Sequence, residues 1–235
     1  MSAVGGPDLI TNNLVFHVDA SNPRCYSGGS ICRDLTNING NGTITNVSLS
    51  SDKAFLMNSN GSSISFLKAV NLANNFTYSV VFYVDNIITN DGTVLLTSFN
   101  DFYGGMGLAV YDAASDVYGL WTAFTDNISA GDEFTVSFGG SAPNFSRKIR
   151  ILTGTWNGTT CTFYLNGNKV DSRSQAPAII SEQTYIDIGS NHGNYFPNNL
   201  TAAGTKIYQA SVYNRALTDG EVLQNYNSLK TRYRI

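Results

Sequence analysis

Charge is what this 235-residue chain has least of. Asp, Glu, Lys and Arg make up 13% of it, where an ordinary globular domain carries about a quarter. Fourteen basic residues stand against seventeen acidic ones, for a formal net charge of −3. A nucleic-acid binder needs a basic stripe to displace counterions from phosphates, and no such stripe is present. The two short basic runs, Arg147-Lys148-Ile149-Arg150 and Lys230-Thr231-Arg232-Tyr233-Arg234, read as a solvated strand edge and a tail. Histidine is nearly missing, and two residues cannot supply a zinc cluster. No segment nears the ~20 apolar residues that cross a bilayer, so no membrane insertion is expected. Met1 to Asp8 lack a basic stretch followed by an apolar one, so a secretory leader is not expected either.

Glutamate is scarce too, with only Glu133, Glu182 and Glu221. Glycoside hydrolysis on a sheet uses paired carboxylates at alternate strand positions, because i and i+2 share a face. None of the three glutamates has that spacing. Asp85, Asp101, Asp112, Asp116, Asp126, Asp132 and Asp187 contain no i, i+2 pair. There is no nucleophile elbow, P-loop or dinucleotide fingerprint. The expectation is a chain with no catalytic residues. Three cysteines are too few for a disulfide framework. Cys25 and Cys32 flank Tyr-Ser-Gly-Gly-Ser-Ile and can close a small loop, but two reduced thiols are expected in a chain that folds in a reducing compartment. Cys161 alternates with polar neighbours and reads as a small core hydrophobe. The Asn-x-Ser/Thr triplets at Asn41, Asn60, Asn75, Asn127, Asn157 and Asn199 are expected to stay unmodified.

Asn, Ser, Thr and Gly take the place of the missing charge, and 42% of the chain is hydrophobic. The length suits one large all-β domain. From Leu14 the chain reads as strand after strand. Phe76-Thr77-Tyr78-Ser79-Val80-Val81-Phe82-Tyr83-Val84 is the longest aromatic and β-branched run and is predicted to be a central strand. Lys148–Trp156 and Thr160–Leu165 are predicted to pair across Asn157-Gly158. Only 218–230 reads as helix, with Thr218 and Glu221 forming a capping box. Val222, Tyr226 and Leu229 are predicted to face the sandwich. Residues 1–13 show no periodicity and read as an arm, which leaves 14–235 as the domain. The strand-like segments at the two ends, ~200 residues apart, fit a sandwich whose first and last strands meet in one sheet.

Three stretches carry a family likeness. Asp19-Ala20-x-Asn22-Pro23 ends the first strand, followed by Tyr26 and Asp34-Leu35. Thr155-Trp156-Asn157-Gly158 and Phe163-Tyr164-Leu165-Asn166-Gly167-Asn168-Lys169-Val170 form a central hairpin. Tyr213-Asn214-Arg215-Ala216-Leu217-Thr218-x-x-Glu221 closes the chain. Together they resemble the concanavalin A-like, laminin-G-type jelly-roll domains, including those of bacteriophage structural proteins. The resemblance implies an antiparallel β-sandwich with a short C-terminal helix, and Asp19 holding the loop after the first strand.

For function, the resemblance and the missing catalytic spacing imply a non-enzymatic virion protein, a phage capsid decoration or a tail or fibre component made in the host cytoplasm. Its partners would be other capsid or tail proteins, and viral symmetry favours a homo-oligomer, first of all a trimer. The alternative is a lectin-like or host-adhesion domain that binds cell-surface glycans. A glycoside hydrolase ranks last. For a sugar site, the aromatics in or beside Gly-rich loops are the candidates, because planar rings stack on sugar faces. Tyr103, Trp121, His192 and Tyr195 are the ligand-binding set. No cofactor is expected; calcium at Asp101, Asp112 and Asp116 is the alternative. His17, on the first strand, reads as structural.

Overall fold

The computed structural model describes residues 7–70, 75–84, 93–100, 104–113, 117–123, 133–137, 148–174, 183–189 and 203–235. In chain order the first eight strands are β1 (Leu14–Asp19), β2 (Ile31–Arg33), β3 (Asn41–Thr45), β4 (Val47–Leu49), β5 (Phe55–Met57), β6 (Ser63–Val70), β7 (Phe76–Tyr83) and β8 (Thr93–Asn100). Then come β9 (Gly104–Ala113), β10 (Val117–Ala123), β11 (Glu133–Ser137), β12 (Arg150–Trp156), β13 (Thr160–Leu165), β14 (Asn168–Ser174), β15 (Gln183–Gly189), β16 (Lys206–Tyr213) and the helix α1 (Asp219–Tyr233).

The strands form two antiparallel sheets. One has the order β14-β13-β12-β7-β16-β5-β4, with β1 also paired to β16; the other runs β11-β10-β9-β8-β15-β6-β3-β2. Side chains from both sheets, among them Phe16, Phe66, Phe82, Leu95, Leu152, Phe163, Ile186 and Val212, meet in one core. This is the two-layer packing of a β-sandwich. The period of two is plain in β7. Phe76, Tyr78, Val80 and Phe82 enter the core, while Val81 and Tyr83 join a second cluster on the outer face. As predicted, β7 lies in the middle of its sheet, between β12 and β16. The first and last strands also meet, with Phe16 opposite Val212 and His17 opposite Ser211.

The predicted hairpin is present, with Trp156 opposite Cys161 and Leu152 opposite Leu165. A second tight turn, Asn166-Gly167, joins β13 to β14 with φ of 50° and 75°. Positive φ at both central positions is what a two-residue hairpin turn needs, and Asn-Gly supplies it at least cost. Gly167 also lies against α1: a Cβ there would come within 2.8 Å of Tyr226 Cβ.

α1 packs across the outer face of the first sheet. Leu229 and Tyr233 cluster with Val81, Ile151 and Tyr208, and Val222 clusters with Tyr164, Tyr213 and Leu217. The helix is longer than its predicted span, and Arg234 ends it in the left-handed region at φ 54°. Its buried residues are Val222, Asn225, Leu229 and Tyr233. Tyr226 is half-buried and packs against the outer cluster as predicted, and Asn225 is buried beside it. Asn225 is held there by the segment before β1. Asn225 Oδ1 accepts from the Ile10 N–H at 2.8 Å, and Asn225 Nδ2 donates to the Tyr213 hydroxyl at 3.2 Å. That hydroxyl donates in turn to the Ile10 carbonyl at 2.9 Å. Gln224 donates to the Asp8 carbonyl, and Leu9 and Ile10 pack against the outer clusters. Residues 8–10 therefore lie along α1. Among the described residues, no helix is long and apolar enough to cross a membrane.

Candidate functional site

Apart from the apolar clusters beneath α1, the outer face of the first sheet is largely polar. Strand register lines up two rows of polar side chains across it. One row runs Tyr213, Thr77, Thr155, Thr162, Ser172, and the next runs His17, Ser211, Ser79, Thr153, Tyr164, Lys169. Neighbours within the rows bond to one another: His17 Nδ1 to Ser211 Oγ at 2.9 Å, Ser79 Oγ to Thr153 Oγ1 at 2.9 Å, and Thr162 Oγ1 to Ser172 Oγ at 3.1 Å. One end of this face lies under α1. Beyond the start of the helix the rows emerge as the floor of an open groove of about 610 Å³. Thr155, Asn157, Thr160, Thr162, Lys169 and Ser172 line one side, and Ala216–Gly220 form the other.

The wall at 216–220 is held rigidly, and the closing motif explains how. Arg215 grips Glu221 with two bonds, Nη1 to Oε2 at 2.8 Å and Nη2 to Oε1 at 2.7 Å. Glu221 Oε2 also accepts the Thr218 N–H, while Thr218 Oγ1 accepts the Glu221 N–H. The Arg215 guanidinium holds the Glu221 carboxyl down at about 2. Thr77 ties the wall to the sheet, donating to the Arg215 carbonyl and accepting the Leu217 N–H, both at 2.9 Å. At the foot of the wall the Tyr164 hydroxyl donates to Asp219 Oδ1 at 2.6 Å. Burial, and then the Asp219 carboxylate, push the Tyr164 phenol well above its usual 10. Tyr164 therefore stays a donor, and Asp219 is among the residues that line the groove. Asn157 spends its carbonyl oxygen inside the hairpin turn, accepting from Thr159 and Thr160 N–H, which leaves its amide hydrogens as its remaining donors.

The groove thus offers hydroxyls, one amide, one carboxylate and one ammonium over a nearly uncharged floor. Each hydroxyl both donates and accepts, and a neutral surface of this kind is cheap to desolvate compared with a charged one. That suits a ligand rich in hydroxyl groups. The size falls within the range of about 300–1,000 Å³ usual for small-ligand sites.

The residues singled out in the sequence fare unevenly. Tyr103, His192 and Tyr195 lie outside the described residues, as do Asp101 and Asp116. Trp121 falls on β10, opposite Ala109 on β9 and Thr135 on β11, and Asp112 falls on β9, opposite Tyr118. Among the described residues no group of three or more His, Cys, Asp or Glu is placed to hold a metal ion. His17 is bonded beside the core, and burial holds its imidazole below the usual 6.5 against the pull of Asp19 and Asp34. Asp19 does hold its loop, accepting from Ser21 N–H at 3.0 Å, and it also pairs with Arg232 of α1 at 2.7 Å. The groove residues were not singled out in the sequence. Their signal was the alternation Thr153-x-Thr155 and Thr160-x-Thr162, which puts hydroxyls opposite the core-facing positions of one hairpin.

Comparison with known proteins agrees with the fold. The laminin-G-type family model described as the concanavalin A-like lectin/glucanases superfamily matches residues 58–223. The chain belongs to that superfamily. No curated protein sequence matches it. Among solved structures it is similar to Trypanosoma rangeli sialidase in complex with sialic acid, at 16% identity and TM-score 0.69, over 98% of this chain and 35% of the sialidase. It is similar to the binding domain of botulinum neurotoxin DC in complex with SialylT, at 16% identity and TM-score 0.66, over 94% of this chain and 52% of that one. It is also similar to domain 4 of AbnA, a GH43 extracellular arabinanase from Geobacillus stearothermophilus, in complex with arabinotriose. There the identity is 17% and the TM-score 0.66, over 91% of this chain and 98% of that one. The chain spans about a third of the sialidase and half of the toxin domain. The fold is one that enzymes and binding domains share.

Proposed function

We propose that this chain is a non-catalytic attachment module that recognises carbohydrate. The observation that carries the reading is the hydroxyl-floored groove between the β12-β13-β14 face and residues 216–220. The superfamily and the sugar complexes of its structural neighbours support the ligand class. The missing carboxylate spacing supports binding without turnover. Tyr103, Trp121, His192 and Tyr195 are proposed as the ring-stacking set for the same class of ligand, and Asp101, Asp112 and Asp116 as its calcium alternative. The setting we propose is the surface of a virus particle, a phage capsid decoration or a tail or fibre component, present as a homo-oligomer with a trimer as first choice. Support for that setting is the likeness of the opening and closing motifs to domains of phage structural proteins.

A glycan array run with and without calcium tests the ligand, and reducing-sugar release from the bound glycans tests for turnover. Binding without release is the expected result; release would make the chain an enzyme. Co-sedimentation with particles and a solution mass test the setting separately. Glycan binding by a monomer that ignores particles would refute the virion role and leave the ligand standing.

A further inference from the structure

Cys25 and Cys32 have no part in that groove. Cys25 lies in the loop between β1 and β2 and Cys32 on β2, with their sulfur atoms 3.5 Å apart. A disulfide is about 2.05 Å long, so closing the bond needs a shift of roughly 1.5 Å. The neighbourhood is fixed on either side: the Cys25 N–H donates to the Asn22 carbonyl, and the Arg33 N–H donates to the Cys25 carbonyl at 2.8 Å. Between the two cysteines, Gly28 and Gly29 hold φ of 101° and 92° with open space around them. The small shift can be taken up there. Both thiols are buried, at 2% and 0% exposure, yet Cys25 lines an open cavity of about 250 Å³ together with Arg24, Ser27, Gly28, Ile31 and Arg33. Arg24 and Arg33 give that lining a positive charge, which favours an anion over a neutral molecule.

We propose that Cys25 and Cys32 are a redox couple, oxidised to an intrachain disulfide by an anionic low-molecular-weight disulfide that enters this cavity. The Cys25 thiolate attacks one sulfur of the oxidant, forms a mixed disulfide and expels one thiolate. Cys32 then gives up its proton to that thiolate and attacks the Cys25 sulfur, and the second thiolate leaves, taking up a proton from solvent. The Cys25 proton goes to solvent in the first step. Two electrons pass to the oxidant, one S–S bond forms for the one broken, and two small thiols are released. The assignment of roles follows from the contacts. The hydrogen bond from Cys32 lowers the Cys25 pKa, against burial and the Asp19 carboxylate, while the same bond, burial and Asp34 raise that of Cys32. The Asp19 N–H also donates to the Cys25 sulfur at 3.4 Å. Cys161, in the core on β13, is the internal reference.

The test is thiol counting and intact mass on the folded chain after incubation with glutathione disulfide. The expected result is a loss of two hydrogens and a fall from three alkylatable thiols to one, with the remaining thiol mapped to Cys161 after unfolding. Melting temperature should rise by about 5 °C and return on reduction. Cys32→Ser should stop at a glutathionyl adduct on Cys25. The uncharged hydroxyethyl disulfide should react several-fold more slowly than glutathione disulfide. Three thiols persisting in the folded protein, oxidation only in denaturant, or a link that joins two chains would each overturn the proposal. If Cys32→Ser fails to fold, the wild-type thiol count still decides.

Discussion

Arg215 and Glu221 lie six residues apart and form a two-pronged ion pair beside a capping box. The box is legible in the sequence, because Thr and Glu three apart before an apolar run have one obvious use. The ion pair is not, because nothing local says that Arg215 turns back onto the helix it precedes. Its consequence is a pH effect. The Glu221 carboxyl is held at about 2 when folded, so its contribution to stability is complete above the unfolded value near 4.5 and is lost as pH falls toward 2. Replacing Glu221 by Gln, which keeps the cap and removes the charge, should flatten the stability–pH curve between about 4.5 and 2. His17 has the opposite chemistry and the same direction. Burial depresses its pKa, so the unfolded chain takes up the proton first and stability starts to fall as pH drops below 6.5. Denaturant titrations at stepped pH check both. Thr218→Ala should cost roughly 0.5–2 kcal/mol by the same assay.

At the scale of elements, α1 and the segment before β1 depend on each other. The 3.6 period identified Val222, Tyr226 and Leu229 as facing the sheet and passed over Asn225, which is buried beside them. Periodicity counts apolar residues, and Asn225 earns its place through polar partners that arrive from residue 10 and residue 213. Asn225→Leu should therefore destabilise by about 1–3 kcal/mol, since it removes the partner of the half-buried Ile10 N–H. Tyr226→Ala, at a half-buried site, should cost less than Leu229→Ala. Truncation separates the two parts of the N-terminal segment. Removing residues 2–6, which keeps Leu9, Ile10 and their bonds, is the control. Removing 2–12 should lower the melting temperature by roughly 5 °C, because Leu9, Ile10 and their bonds are lost. An unchanged melt in the longer truncation would mean that the docking seen along α1 adds nothing.

Across the whole molecule, the sandwich was legible because its cause is repeated many times. Alternation in β7, Asn-Gly turns at both ends of β13 and matched terminal strands all point to one architecture. The groove was not legible. Its floor comes from β12, β13 and β14 and its wall from residues 216–220, and in isolation each piece looks like an ordinary exposed strand or a helix cap. Only the register that sets Thr155 beside Thr162 and Thr162 beside Ser172 makes a row of them. The most direct test fills that row. Ser172 is half-buried on β14 and lines the groove, so Ser172→Trp should block it without entering the core. Titration calorimetry of the best array glycan against wild type, Ser172→Trp and Trp121→Ala is the measurement. Ser172→Trp is expected to weaken binding at least about tenfold, about 1.4 kcal/mol, with the melting temperature unchanged. Wild-type affinity in Ser172→Trp would contradict a groove site, and loss of binding in Trp121→Ala alone would move the site to the loop aromatics.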